Sequence, residues 1–361
     1  MRGTLPRMTS FAPVAHDIFS VMTVPAEQVA PATAEAVALA GWGLRASATL
    51  LTGERDRNFR LVAADGAEYV LKFANPAEDP AVTDLQIQAL LHIAASDPGF
   101  PVPRIVKRPD GAAEALLPRD DGSVQRVRLL SWLPGVPLRQ ARRSAAQRAA
   151  CGRALARLGL ALRGFTHPAG RHALIWDVTH VPRLREVMDT LDHAAAQDAV
   201  ASVLDDFDAR ARPVLPTLRH QVLHNDMNTG NTLVDAADPD RLVGMIDFGD
   251  MVETALAIDV AVGATSQIGA DMGAAEAMAV FVAGFHAVRP LTPDELAVLP
   301  VLIAARLCMS LVLPAWHRRV HPGNPHYPPM TATEITRRLG LIAAARSADT
   351  AHALRRACGL S

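Results

Sequence analysis

Apolar and polar positions alternate in three runs between Ala46 and Phe73: "ASATLLTG", "RNFRLVAA" and "EYVLKFA". A period of two turns one side of each run toward a core. Asp65-Gly66, between the second and third runs, is a pair that tight hairpin turns favour. Antiparallel strands are predicted here. The period then lengthens. In "DPAVTDLQIQALLHIAAS" the apolar residues Val82, Leu85, Ala89 and Ile93 recur at helical spacing, and Pro101 and Pro103 bar continuation. Two more strand-like runs follow, "RIVKRPDGAAEALLP" and "SVQRVRLLSWL", the first carrying a turn at Asp110-Gly111.

"LPGVP", Leu133 to Pro137, breaks this pattern, and Ala- and Leu-rich helical stretches take over. The exceptions are short apolar runs around "VLHNDMNTGNTLVD", Val222 to Asp235, and before "GMIDFGDM". No internal repeat is present. The chain therefore reads as an α+β protein in two lobes. Residues 1–132 form a small antiparallel sheet with one main helix. A hinge lies near Trp132 to Pro137, and residues 133–361 form a larger, mostly helical lobe that carries a polar hairpin.

A length of 361 residues allows each lobe its own core. Half the residues are hydrophobic, 20% are charged and the net charge is -1, which argues against a nucleic-acid binder or a membrane-surface protein. Cys151, Cys308 and Cys358 are far apart and odd in number, so a disulfide framework or cysteine-held zinc is not expected, and a cytoplasmic location fits. The start, "MRGTLPRMTSFAPVAHDIFSV", holds no apolar run of signal-peptide length. "ELAVLPVLIAARLCMSLVLPAW" is apolar enough to suggest a membrane span, but it contains Pro300, Arg306 and Pro314. An Arg near a bilayer centre costs about 2.5–3.5 kcal/mol; a buried helix is the better reading. The arginines of "ARRSAAQRAACGRALARLGLALRGF" read as a solvated helix face rather than an anion site. His317, His321 and His326 have loosely metal-like spacing, but "HPGNPHYPP" is broken by prolines and lacks a nearby carboxylate or cysteine. It reads as a surface loop or part of a substrate wall.

The polar hairpin carries the chemistry. Phosphoryl transfer asks little covalent help of a protein: oxygen ligands for metal ions, a cation on the phosphates, and a carboxylate to receive the hydroxyl proton. In H-N-D-x-x-x-x-N, Asp226 is the candidate base, and Asn231 lies five residues on, where a loop can turn it toward a metal. Asp247 ends an apolar strand, and Gly249 lets the backbone turn behind it. Taken singly, each of these is most simply a turn residue, and Lys72 in "VLKF" a strand lysine reaching for solvent. Their order in the chain gives them weight.

That order, a strand Lys, then H-x-D-x-x-x-x-N, then D-F-G, resembles the protein-kinase-like superfamily. "LHND…GNTLVD…GMIDFGD" is similar to its aminoglycoside phosphotransferase and choline kinase branch. The flanking "GERDRNFRLVAADGAEYVLKFAN", "RLLSWLPGVPL", "IDFGDMVETALAIDVAV" and "RLCMSLVLPAWHRRVHPGNPHY" resemble the hydroxylysine kinase-like group, from about Gly53 to Tyr327. The resemblance implies a protein-kinase-like fold, with ATP or GTP as donor and Mg²⁺ as cofactor. Lys72 would touch the phosphates, Asp226 would act as base, and Asn231 and Asp247 would hold Mg²⁺. His224 would brace the loop and Asp259 would accept hydrogen bonds from its backbone. The hinge, including Leu130 and Trp132, would meet the purine.

The sequence also departs from the family's pattern. Gln86 stands where a Glu partner for Lys72 is expected. The nucleotide loop "TGERDRNF" is poor in glycine: either its amides, or Arg55 and Arg57, meet phosphates, or it is simply an exposed hairpin tip. Asn225 stands where the wider family often has Gly, a tolerable change for a residue that can visit unusual backbone angles. The implied acceptor is a hydroxyl of a hydroxylysine-like amino compound. An aminoglycoside-type acceptor and a non-catalytic nucleotide-binding protein are the alternatives. Arg306, costly if unpaired inside an apolar helix, would either form an internal salt bridge with Asp250 or Glu253 or grip a substrate carboxylate while one of those two meets an ammonium.

Overall fold

A computed structural model describes residues 18, 19, 24, 28–53, 55–119, 122–323 and 327–360. Most of the N-terminal stretch read for a signal peptide, Glu54 of the nucleotide loop and His326 lie outside the described residues.

Helix α1 (Pro31–Trp42) leads into strands β1 (Ala46–Leu51), β2 (Arg57–Ala63) and β3 (Glu68–Phe73). Gly66 makes the β2–β3 hairpin with φ +84°, and Asp65 Oδ1 accepts the Ala67 N–H there. Helix α2 (Pro80–Ser96) begins at Asp79, whose side chain caps the Ala81 N–H, with Pro80 in the first turn. Strands β4 (Ala115–Pro118) and β5 (Val124–Ser131) complete an antiparallel sheet in the order β1-β2-β3-β5-β4. The strands expected from the alternation are present, and Phe59, Leu61, Leu71, Phe73, Val127 and Leu129 on their inward side are buried and meet Ala34 and Ala38 of α1. Across β3 and β5, Lys72 and Arg128 stand directly opposite each other.

The apolar side of α2 does not join this core. Leu85, Ala89, Leu90 and Ile93 belong instead to the larger core of the helical part. After the Pro/Gly break, β6 (Val136–Pro137) leads to helices α3 (Ala145–Ala161) and α4 (Ala194–Asp206). Strand β7 (His220–Leu223) follows, then β8 (Thr232–Val234), β9 (Leu242–Met245) and β10 (Val252–Ala255). β6-β8-β9 form one small sheet and β7 pairs with β10. Helices α5 (Leu256–Thr265), α6 (Ala274–Val288), α7 (Pro293–Val320), α8 (Ala332–Ala345) and α9 (Ala348–Ala357) complete the chain.

α7 is the segment apolar enough to suggest a membrane span. Most of it is buried within the protein, and Thr292 and Glu295 form a reciprocal cap at its start. One sequence expectation fails in α3. Arg148 is fully buried rather than solvated, with Nη1 and Nη2 on Asp271 at 2.9 and 2.7 Å and Nε on Gln267 O at 3.0 Å. The partners sit about 120 residues away in sequence, so the helical period could not reveal them.

Candidate active site

Two loops cross at the floor of the cleft. One links β7 to β8 and the other links β9 to β10. The Ile246 N–H bonds Asn231 O at 2.9 Å and ties them together. His224 is fully buried between them. Its Nδ1 accepts the Asp226 N–H at 3.2 Å and its Nε2 lies 3.1 Å from Ile246 O. An imidazole that accepts at Nδ1 and donates at Nε2 is neutral, and burial lowers its pKa accordingly. Asn225 has φ +61°, and its N–H donates to Asp259 Oδ1 at 2.9 Å. Asp259 on α5 is itself buried, which pushes its pKa up to about 7.

Asp226 is gripped on both carboxylate oxygens. Oδ2 accepts Asn228 Nδ2 at 2.9 Å and Asn231 Nδ2 at 2.7 Å, while Oδ1 accepts Arg306 Nη2 at 3.1 Å. Burial and the nearby Asp250 raise its pKa well above the usual carboxylate range, and Arg306 opposes them. Asp247 has φ +62° and a half-exposed side chain. Lys72, 3.6 Å away, is the main reason its carboxyl is held down to about 2.

The opposite wall comes from the sheet. Lys72 is 8% exposed and also lies 3.4 Å from Asp56 Oδ2. Gln86 does not take the place expected beside Lys72: its Oε1 accepts Arg128 Nη2 at 2.5 Å. Arg55 reaches across the cleft and pairs with the buried Asp250. Gly53 is required by the bend of this loop, since a Cβ there would lie 2.6 Å from Asp56 O. Lys72, Gln86, Arg55, Asp226, Asp247 and Asp250 therefore line one cleft.

Three further residues named from the sequence have contacts of their own. Leu130 is buried on β5, and Trp132 gives its N–H to Glu68 O at 3.2 Å, with its ring 4.8 Å from the Arg60 guanidinium. Glu253 turns to Arg171, whose Nε and Nη2 lie 2.9 and 2.6 Å from Oε1.

The expected salt bridge of Arg306 with Asp250 or Glu253 is replaced. Both carboxylates are held by other arginines, and Arg306 sits on Asp226 instead. Its guanidinium also covers the Trp176 ring at 4.7 Å and donates to Trp176 O at 3.2 Å. The sequence reading missed Asp56, Arg128, Asn228 and Trp176. Asn228 alone left a local trace, as an Asn two residues past Asp226.

The donor set suits a hard divalent cation. Asp247 offers a half-exposed carboxylate, and Asn231, its amide nitrogen committed to Asp226, has its oxygen left to offer. Among the described residues no three His, Cys, Asp or Glu gather into a cage. Few protein oxygens, completed by phosphates and water, is the pattern Mg²⁺ prefers.

A firmly held carboxylate and a half-exposed second carboxylate in one cleft, the latter 3.6 Å from a buried Lys, suit a phosphotransferase. The chain is a member of the phosphotransferase enzyme family, whose pattern matches residues 47–299. It is 29% identical over 304 residues to the hydroxylysine kinase of Mus musculus, covering 78% of this chain and 80% of that protein. An amicoumacin kinase in complex with AMP-PNP and Ca²⁺ shares the fold with a TM-score of 0.62 at 14% identity, covering 83% of this chain and 87% of its own. A microcompartment-associated aminopropanol kinase does so at 0.59 and 20%, covering 90% and 97%. The fold is protein-kinase-like, as the sequence pattern predicted, and the chain is a small-molecule kinase that transfers phosphate to a hydroxyl group.

Proposed function

We propose that this kinase moves the γ-phosphoryl group of ATP or GTP onto the hydroxyl of a small hydroxy-amino compound of the hydroxylysine type. The nucleotide lies between a lobe ending at residue 132 and one beginning at 133. The observation that carries the reading is the double grip on Asp226, between Arg306 and the amides of Asn228 and Asn231. A carboxylate held this way has one orientation, and a hydroxyl brought to it is aligned before its proton moves.

Asp226 receives that proton. Lys72 binds the transferred phosphate oxygens and turns from Asp247 to do so. Asp247 and Asn231 hold Mg²⁺, which when bound neutralises charge on the phosphates. His224 and Asp259 keep the Asp226 loop in shape through its backbone. Asp250 sits where an acceptor ammonium can share it with Arg55, and Arg306 has a guanidinium face near Asp226 that an acceptor carboxylate can reach. The hydroxylysine kinase relative supports an acceptor carrying both groups. Three free cysteines, two of them buried with thiols pushed up to about 12, suit a cytoplasmic enzyme.

The test is phosphate transfer by the purified chain, with ATP and GTP separately, to hydroxylysine, other hydroxy-amino acids, amino alcohols and aminoglycosides. Highest kcat/KM on a hydroxy-amino acid is expected. Turnover confined to aminoglycosides would overturn the assignment.

A further inference from the structure

We infer that Asp56, in the loop between β1 and β2, is the counter-ion that positions Lys72 for the nucleotide phosphates, and that Gln86 acts on this pair only through Arg128. The inference rests on the proposed role of Lys72 and deepens it.

The starting point is the sheet register. Lys72 and Arg128 are direct partners across β3 and β5, so both side chains leave the same side of the sheet. Two like charges placed opposite each other repel, and both are almost fully buried, at 8% and 4% exposure. They need a shared anion. Asp56 Oδ2 lies 3.4 Å from Lys72 Nζ and 3.4 Å from Arg128 Nη2. Its second oxygen, Oδ1, accepts the Asn75 N–H at 3.1 Å, and the Asn75 side chain donates to Arg55 O at 3.2 Å. The carboxylate is thus fixed to the chain beyond β3 as well as to the two cations.

Helix α2 supplies no charge here. Gln86 accepts from Arg128 and holds the guanidinium against Asp56. Lys72, Arg128 and Asp56 together carry one net positive charge, and Glu78, which lines the same cleft beside Asp56 and Arg128, is pushed by burial toward its neutral form. A Glu at position 86 would cancel that charge. With Gln86 neutral and Asp56 on the loop, the orientation of Lys72 is tied to the loop over the phosphates rather than to the helix. Without Asp56, Asp247 is the remaining carboxylate near Lys72, at 3.6 Å, and that carboxylate is the one proposed for Mg²⁺.

The experiment is a charge cycle on the full chain, with steady-state kinetics in both substrates and nucleotide titration by calorimetry. Asp56→Asn should lower kcat/KM for the nucleotide by tenfold or more, with the acceptor KM unchanged. Gln86→Glu should weaken nucleotide binding at least threefold. The double variant Asp56→Asn/Gln86→Glu restores the charge sum and should recover to within about threefold of wild type, a rescue that a merely structural role does not give. Asp56→Asn within twofold of wild type, or a folded double variant no better than Asp56→Asn, would overturn the inference. If Asp56→Asn fails to fold by thermal melt, Gln86→Glu alone decides, and unchanged nucleotide binding rejects the idea. Absence of phosphotransfer by the wild type would count against the proposed function instead, and the calorimetric cycle would still judge Asp56.

Discussion

The two walls of the cleft are built differently. The helical wall is assembled from within: His224, Asn225, Asp226 and Asn231 are locked by hydrogen bonds among themselves, to Ile246 and to Asp259. The sheet wall presents Arg55, Lys72 and Arg128, held by ion pairs with Asp56 and with the far side of the cleft. Buried hydrogen bonds to backbone are directional and hold one geometry, whereas charged side chains on long stems can exchange partners. The difference suggests a division of labour. On the proposed reading, the helical wall would keep a fixed geometry for the acceptor hydroxyl, and the sheet wall would trade Asp247 and Asp250 for phosphate when nucleotide enters.

That division can be broken most severely at Asp226. Asp226→Asn preserves shape but accepts no proton, so turnover should fall by about 10²–10⁴ while nucleotide affinity stays. Turnover within about threefold of wild type would remove the base from the helical wall. Next comes Asp247→Ala, which should abolish the Mg²⁺ dependence of nucleotide affinity, with Asn231→Ala milder because water can replace a neutral ligand. Equal affinity with and without Mg²⁺ in the wild type would deny both residues their role.

Arg306→Met sharpens the comparison. Since Arg306 holds Asp226 directly, kcat should drop roughly tenfold for every acceptor, with charge-assisted bonds of this kind contributing about 1.5–3 kcal/mol. A further rise in KM should appear only for acceptors bearing a carboxylate. Equal KM values for a hydroxy-amino acid and its amino-alcohol analogue, before and after mutation, would leave Arg306 with the positioning role alone.

Asp259 tests the rigid wall by stability. Its carboxyl, raised to about 7, keeps its proton in the folded chain while the unfolded chain releases it in the ordinary carboxylate range. The favourable contribution is present at acid pH and is lost as pH rises toward 7, at up to about 1.4 kcal/mol per pH unit. Asp259→Asn removes that slope. In denaturant unfolding, the stability of wild type relative to the variant should grow by roughly 2 kcal/mol from pH 7 to pH 5; parallel profiles would show that Asp259 does not titrate there. The smallest effect is expected at the deformable wall. Arg55→Met frees Asp250 and should change nucleotide KM only about two- to threefold, because a partner that exchanges on binding contributes little net energy.

Much of this was readable along the chain. Alternation, the Asp65-Gly66 turn and the helical spacing of Val82 to Ile93 gave the sheet and α2, because each is a local property of a few neighbouring residues. Lys72, His224, Asp226, Asn231 and Asp247 stood out by order, and one cleft brings together the Lys and the carboxylates. Asn225, noted only as a tolerable replacement for a frequent Gly, has φ +61°. The partners were another matter. Gln86 met Arg128 instead of Lys72, Arg306 met Asp226 across 80 residues, and Arg148 found Asp271 rather than solvent. Period and motif report how a segment folds on itself. A charge, by contrast, pairs with whichever opposite group the packed backbone brings within about 4 Å, and that distance does not exist until sheet, hinge and helices have closed around the cleft.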